Sequence, residues 1–255
     1  MTTPPAQISR HPLGHSRVGL IVPPANAVAE PEVTHLLAPH ATTHTTRLPV
    51  LHKPLADRLS AYNEAVPDMI ASFGQLGLLL DAVVLACSGS RYPLGPNQDA
   101  DRCEQWSTIH GVPVSTATLA TWQVLQRLGS KDLVLISPYE PWLTEQACAY
   151  WEQAGLRVEV VGIQTAAHTY APYQVQPAEL VDQIERADLP DDAVLLCTGT
   201  GMATLGVLPL LGAGNKRVLL TSNLCTAWWA LHRLGPIPRQ SLPWPLYRLA
   251  AQGLR

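Results

Sequence analysis

Short apolar runs alternate along this chain with longer segments in which apolar residues recur at helical spacing. The short runs are bounded by turn residues and predict buried strands, whereas the longer segments predict amphipathic helices. Such alternation is typical of an α/β fold with parallel sheets. The predicted strands are 17–22, 44–48, 82–86 and 112–115 in the first half, and 133–137, 157–163, 193–196 and 217–221 in the second.

Polar and proline-containing stretches separate these strands. Helices are predicted near 30–37, over 60–79 and over the short segment 102–109, and a loop rich in proline and histidine precedes the second of them. Residues 1–16 are polar, contain several prolines and are predicted to form a flexible tail.

The two halves of the chain resemble each other. Residues 18–24 correspond to 133–139, and residues 115–129 align without a gap on 221–235. In the second pair, a short polar loop leads into an amphipathic helix that ends at a glycine. We therefore predict two Rossmann-like lobes related by a pseudo-twofold axis, each with a four-stranded parallel sheet. The first lobe is assigned to 17–114 plus 224–255 and the second to 115–223.

A cysteine follows the third predicted strand in each half. Cys87 lies in Leu-Ala-Cys-Ser-Gly-Ser and Cys197 in Leu-Leu-Cys-Thr-Gly-Thr. Open α/β sheets place their chemistry at the carboxyl ends of strands, so the pattern predicts two thiols that face one cleft. The alternative for each is an ordinary core position, because cysteine is among the most buried residue types.

The small polar residues after each cysteine predict an anion-binding turn. Hydroxyl groups and close backbone approach at glycine would bind a substrate carboxylate and stabilise the charge that develops on it. The residues concerned are Ser88, Gly89 and Ser90 after the first cysteine, and Thr198, Gly199 and Thr200 after the second.

Composition narrows the range of partners. A net charge of −3 with 15% charged residues provides no basic surface for nucleic acid. The apolar stretches are too short to span a bilayer, so no membrane segment is expected. Five cysteines form an odd set, and the chain starts without a signal-peptide pattern, which predicts free thiols and a cytoplasmic location.

No cofactor or metal is predicted. The nine histidines lack the spacing of ligand sets. The glycines between 199 and 206 match neither the dinucleotide fingerprint nor a P-loop.

Several segments carry a family resemblance. They are the opening 19–26 with Glu30-Pro31-Glu32, the Ser137-Pro138-Tyr139 turn, the paired cysteines, and Thr221-Ser222-Asn223 before Trp228. Together these resemble the maleate cis-trans isomerases and arylmalonate decarboxylases of the aspartate/glutamate racemase superfamily. The resemblance implies an active site between two lobes that works without a metal or organic cofactor.

The resemblance also implies roles. Cys87 would be the thiolate nucleophile of a small-carboxylate isomerase and Cys197 its acid/base partner, with Pro24, Asn26 and Tyr139 at the substrate carboxylates. The rival activities are a decarboxylase in which one cysteine protonates an enediolate, and a racemase. A carboxylate-binding protein without turnover is the non-enzymatic alternative.

Some assignments stay open at this stage. In the resembled family the second cysteine is followed more closely by a Thr-Leu pair, here Thr204-Leu205, so either Cys197 or Gly199 occupies the catalytic register. The isomerases also carry an Asn near where this chain has His168-Thr169-Tyr170. Cys225 and Trp142 are further candidates for the cleft, Cys103 and Cys148 are predicted to be structural, and the tryptophan-bearing helices would suit a homodimer.

Overall fold

The computed structural model describes residues 16–75, 77–164, 172–209 and 217–251. Most of the predicted tail and the segment 168–170 lie outside these residues. Two four-stranded parallel sheets flanked by helices are present, which confirms the predicted fold class.

The first sheet has the strand order β2-β1-β3-β4. Its strands are β1 (Ser16–Val22), β2 (Ala41–Arg47), β3 (Ala82–Leu85) and β4 (Val114–Thr116). The helices of this half are α1 (Ala29–Leu37), α2 (Leu55–Gln75), α3 (Gly95–His110) and α4 (Ala117–Leu128). The central strands β1 and β3 are built from Val, Leu and Ile and are almost fully buried, as expected for a sheet covered on both faces.

The second sheet repeats this arrangement with the order β6-β5-β7-β8. Its strands are β5 (Asp132–Ser137), β6 (Arg157–Gly162), β7 (Val194–Cys197) and β8 (Val218–Thr221). The accompanying helices are α5 (Pro141–Gln153), α6 (Pro177–Glu185), α7 (Ser222–Arg233) and α8 (Trp244–Ala251). Helices α4 and α7 pack against each other between the two sheets, and α1 also packs on α7.

Strand pairing sets the register between the two halves. Ile21 of β1 pairs with Leu85, and its equivalent Ile136 of β5 pairs with Cys197. Leu85 and Cys197 are therefore equivalent positions, and the structural counterpart of Cys87, two residues later, is Gly199. The matched Cys-Ser-Gly-Ser and Cys-Thr-Gly-Thr segments are shifted by two residues relative to the structural repeat.

The helix repeat shows a smaller shift. Thr116 and Thr221 are the N-caps of α4 and α7, and each accepts a hydrogen bond from the backbone N–H three residues later. These threonines are thus equivalent positions. The alignment of 115–129 on 221–235, which places Trp122 on Trp228, is therefore shifted by one residue relative to the structural repeat. The first helix ends at Gly129 with φ 67°, as predicted, whereas the second ends at Leu234 and the glycine follows it.

Two further features concern the outer surface. Trp244 and Tyr247 of α8 are partly exposed, and a homodimer contact through such residues stays a prediction. Within the described ranges, none of the helices combines the length and apolarity that a membrane crossing requires.

Candidate functional site

A cavity of about 120 Å³ lies at the carboxyl ends of the central strands of both sheets. The loop after β1, the turn after β3, the loop after β5 and the turn after β7 all contribute to it, and α2 forms one wall. This is the position at which open α/β sheets bind ligands. Its size suits a small acid and not a drug-sized molecule. The lining residues are Pro23, Pro24, Ala25, Asn26, Leu55, Arg58, Leu59, Tyr62, Cys87, Ser88, Gly89, Tyr139, Leu143, Pro172, Tyr173, Thr200 and Gly201.

Cys87 lies two residues beyond the end of β3 and lines this cavity. Its side chain is 5% exposed, so a small ligand inside the cavity reaches a thiol that is largely shielded from water. The Ser90 hydroxyl donates a hydrogen bond of 3.2 Å to the Cys87 carbonyl oxygen and fixes the turn behind the sulfur. The sequence-predicted thiol is thus placed in the cavity.

Burial raises the pKa of the Cys87 thiol above its ordinary value. Hydrogen bonds from the side chain and backbone of Ser90 and the positive charge of Arg91 act in the opposite direction and lower it. Because burial is the largest of these effects, together they favour the protonated form of the thiol.

Asn26 and Thr200 join the two halves of the chain beside the cysteine. The Asn26 amide nitrogen donates to the Thr200 hydroxyl at 2.9 Å, and that hydroxyl donates to the Ala86 carbonyl at 2.8 Å. The Asn26 side-chain oxygen accepts from the backbone N–H groups of Val28 and Ala29, just before and at the start of α1. One amide proton of Asn26 remains for a ligand, since the side chain carries two.

Not every predicted binding residue reaches the cavity. Pro24, Asn26, Ser88, Gly89, Tyr139 and Thr200 line it. Ser90 and Thr198 are buried outside the lining. The Thr198 hydroxyl shares a hydrogen bond with the Tyr92 phenol, and burial raises the pKa of Tyr92 to about 12.

Cys197 differs from the expectation that both sulfurs line one cleft. It is the last residue of β7, is fully buried and does not line the cavity. Burial, followed by the negative charge of Glu32, raises the pKa of its thiol to about 12. A thiol without contact to the cavity and with this pKa has no geometric support as an acid/base partner.

The structural counterpart of Cys87 is Gly199, and Tyr139 fills the space beside it. A Cβ atom added at Gly199 would lie 2.7 Å from the Tyr139 hydroxyl oxygen, and the glycine has φ +91°, where side chains are strained. Its N–H donates to the Ser222 hydroxyl at 3.1 Å. The site therefore holds one thiol, with a phenol hydroxyl near the position where a second thiol would lie.

Helix α2 supplies two residues that the sequence pattern did not identify. Arg58 and Tyr62 line the cavity together with Leu55 and Leu59. Burial raises the pKa of Tyr62, and a charge on Cys87 raises it further, whereas Arg58 lowers it through charge and a hydrogen bond. The helix was predicted to begin at residue 60. Its observed start at Leu55 places all four side chains on one face, at spacings of three, four and seven residues.

The remaining candidates lie elsewhere. Cys225 is buried in α7, where burial raises its pKa to about 12, and Trp142 donates to Glu140 while Leu143 lines the cavity. Cys103 and Cys148 lie on α3 and α5. Among the described residues, no group of three or more His, Cys, Asp or Glu side chains is placed to hold a metal ion.

The raised pKa of Cys87 predicts a pH dependence for its alkylation. The ordinary pKa of a cysteine thiol is about 8.5, and the thiolate is the form that reacts. The rate of carbamidomethylation of Cys87 by iodoacetamide should therefore still be rising with pH above about 8.5. Mass spectrometry of the peptide that contains Cys87 measures this rate separately from the other four thiols. A rate that reaches its plateau below pH 8 would show that the hydrogen bonds from Ser90 and the charge of Arg91 outweigh burial.

Comparison with known proteins gives consistent matches. The profile of the family described as arylmalonate decarboxylase matches residues 18–241. A maleate isomerase from Geobacillus stearothermophilus is 25% identical in an alignment of 239 residues, which covers 83% of this chain and 94% of that protein.

Two solved structures share the fold. A Nocardia farcinica maleate cis-trans isomerase variant, with one cysteine replaced by serine and a covalently bound succinylcysteine intermediate, aligns with TM-score 0.74 at 20% identity and covers 87% of this chain and 93% of its own. A liganded arylmalonate decarboxylase variant, with one glycine changed to cysteine and one cysteine to serine, aligns with TM-score 0.72 at 23% identity, covering 92% and 98%.

Proposed function

The chain belongs to the arylmalonate decarboxylase family, and from this premise we propose that it is a cofactor-independent cis–trans isomerase of a small carboxylic acid that uses Cys87 as its nucleophile. The observation that carries the proposal is the position of the Cys87 thiol in a cavity of about 120 Å³ to which both halves of the chain contribute. The similarity to maleate isomerases over most of the chain supports the reaction class.

The proposed reaction uses the small deprotonated fraction of Cys87, whose proton is released to the solvent. This thiolate adds to one carbon of the activated double bond. The π electrons move to the neighbouring carbon and are delocalised into its carboxylate as an enediolate. The former double bond is now single, and rotation about it brings the substrate to the trans geometry. Return of the electron pair re-forms the double bond and expels the thiolate, so no proton is gained or lost overall.

The described residues fit these steps. The Ser88 and Gly89 turn and the free amide proton of Asn26 would hold the carboxylate on which charge develops, and donors aimed at that charge lower the barrier. The Cys87 side chain is only 5% exposed, and such shielding from water limits protonation of the enediolate before the thiolate leaves.

A single thiol is sufficient for the addition step. The covalent adduct seen in the Nocardia relative forms in a variant that has lost one cysteine to serine. By analogy, Gly199 in the register of a second cysteine does not prevent addition at Cys87. Tyr139, whose hydroxyl lies beside Gly199, would line the face of the substrate that is turned away from Cys87.

A decarboxylase is the second candidate, and the one-thiol geometry favours it. A buried thiol that stays protonated is suited to donate a proton to the enediolate left after carbon dioxide departs. With Gly199 opposite, the proton would arrive from one face only. A disubstituted malonate should then give predominantly one enantiomer.

Proton NMR in deuterated buffer separates the two candidates. The purified protein is incubated with maleate, citraconate, an arylmalonate and a chiral amino acid, with the heat-inactivated protein as control. We expect conversion of a cis-alkene diacid to its trans isomer without deuterium uptake. Loss of a carboxylate with deuterium at the α carbon would replace the isomerase by the decarboxylase, α-deuteration alone would indicate a racemase, and no conversion would favour a binding protein.

The pH profile gives an independent discrimination. An isomerase that needs the thiolate gains activity as pH rises towards the raised pKa of Cys87. A decarboxylase that needs the protonated thiol loses activity over the same range.

A further inference from the structure

The wall formed by α2 carries one charged group. Among the described residues that line the cavity, Arg58 is the cationic side chain and none is an Asp or Glu. Arg58 lies one helical turn before Tyr62, and both line the cavity together with Cys87. A small molecule in this cavity of about 120 Å³ is therefore placed to contact both Arg58 and the reactive cysteine.

The hydrogen-bonding capacity of Arg58 is incompletely used. Its Nε atom is buried and has no partner among the described residues, and the Tyr62 phenol is hydrogen-bonded to its side chain. Within the described ranges no carboxylate lies at ion-pair distance from this guanidinium, whereas Arg47, Arg91 and Arg157 each have such a partner. A partly buried arginine without an anion is costly to keep unless a ligand completes it.

The cavity residues beside Cys87 provide neutral donors. They are the Ser88 and Gly89 turn and the Asn26 amide, and none carries a charge. A ligand with one carboxylate would satisfy either these donors or Arg58. A short dicarboxylate would satisfy both, with its reacting carbons near Cys87.

We propose that Arg58 is the specificity-determining residue of this site, where its guanidinium binds the second, non-reacting carboxylate of a short dicarboxylate substrate. The assignment rests on the proposed function for the identity of the reacting carboxylate. An arginine presents two parallel N–H donors to a carboxylate, a geometry that lysine does not reproduce. Since the contact is the same before and during the reaction, it contributes to substrate binding and little to the chemical step.

The test uses the full chain and two pairs of unreactive probes. Isothermal titration calorimetry compares succinate with methyl hydrogen succinate, and malonate with methyl hydrogen malonate, in which one carboxylate is masked. The variants are Arg58→Gln and Arg58→Lys, and the matched control is Arg102→Gln, which changes an arginine that is 39% exposed outside the cavity. Circular dichroism and thermal unfolding establish that each variant is folded.

We expect the wild-type protein to prefer at least one diacid over its half-ester by about 10- to 100-fold, the range that a charge-assisted hydrogen bond supplies. Arg58→Gln should remove that preference, Arg58→Lys should retain part of it, and Arg102→Gln should retain all of it. If a substrate is turned over, Arg58→Gln should raise KM by a similar factor with kcat changed only slightly.

The outcomes separate this proposal from the proposed function. A diacid preference that depends on Arg58 supports the assignment of Arg58 even if no turnover is found. In that case the proposed isomerase and decarboxylase activities would be wrong, while the role of Arg58 in binding would stand. Equal affinities of the wild-type protein and Arg58→Gln for the diacids, or no binding of either diacid to the wild-type protein, would overturn it.

Discussion

Replacing Cys87 by serine is expected to lower turnover of the substrate identified by NMR by more than about 10³-fold. The serine hydroxyl has a far higher pKa than a thiol and supplies almost no anion near neutral pH without a strong base. Among the described residues, none of those that line the cavity is a His, Asp or Glu that would act as this base. The initial rate of substrate conversion measures the loss, and intact-mass spectrometry tests for a thiol adduct in the wild-type protein.

Two other buried cysteines provide matched controls. Cys197→Ser and Cys225→Ser change thiols that are as inaccessible as Cys87 but do not line the cavity. We expect both variants to keep turnover within a few-fold of the wild-type rate, as substitutions away from the reacting groups do. Unchanged activity in Cys87→Ser would remove this residue from the mechanism. A comparable loss in Cys197→Ser would restore the two-cysteine reading and require Cys197 to reach the substrate.

The repeat in the sequence predicted the fold well, because buried strands have a strong apolar signature. All eight predicted strands are present, with ends that differ by up to three residues. The register of the repeat was predicted less well. The local likeness of the segments around Cys87 and Cys197 suggested equivalence, whereas pairing of Ile21 and Ile136 with their neighbours fixes a register shifted by two residues.

This shift decides how the site is read. A shift of two positions along the chain is the difference between the last residue of a buried strand and a residue in the turn that follows the strand. Cys197 lies at the end of a strand and inside the core, whereas Cys87 lies beyond the end of its strand and inside the cavity. The spacing between Cys197 and the Thr204-Leu205 pair was the feature of the sequence that indicated Gly199, and not Cys197, as the counterpart of Cys87. Neither the cysteine motif nor its hydrophobic context distinguishes the two positions.

The wall formed by α2 was missed for a different reason. The sequence around Pro54 suggested a loop, yet the helix begins directly after it at Leu55. Proline is well tolerated at a helix start, so a proline there does not separate a loop from a first turn. Arg58 was therefore assigned to a loop. Only the observed helix brings it onto the same face as Tyr62 and into the cavity.

The largest effect on stability is expected at Asp99, which is fully buried in α3. Its carboxylate accepts hydrogen bonds from Arg91 at 2.9 Å, from Thr116 at 2.8 Å, from Thr118 at 2.7 Å and from the Tyr150 phenol at 3.0 Å. Asp99→Asn preserves the size of the side chain but removes its charge and places an amide that donates among these donors. Arg91 would be left as a buried cation without a counter-charge.

We expect Asp99→Asn to lower the free energy of unfolding by about 3–5 kcal/mol, the range for breaking a buried ion pair on one side. Urea unfolding followed by tryptophan fluorescence measures this change. Asp101→Asn is the matched control, because it makes the same substitution on the same helix at an exposed position and should change the free energy by less than about 0.5 kcal/mol. Equal stability of the two variants would contradict the assignment of Asp99 as the acceptor that holds Arg91.

We also expect Asp99→Asn to disturb the position of the Cys87 thiol, through the hydrogen bonds that Arg91 makes. Arg91 donates to the Asn63 carbonyl oxygen at 2.6 Å, and the Asn63 amide donates to the Ser90 carbonyl at 2.9 Å. Ser90 in turn fixes the turn behind Cys87. Any Asp99→Asn protein that folds should therefore turn over substrate more slowly, since the turn that positions the thiol loses its support, whereas Asp101→Asn should match the wild-type rate. A folded, destabilised Asp99→Asn protein with the wild-type rate would show that the network stabilises the fold without positioning the thiol.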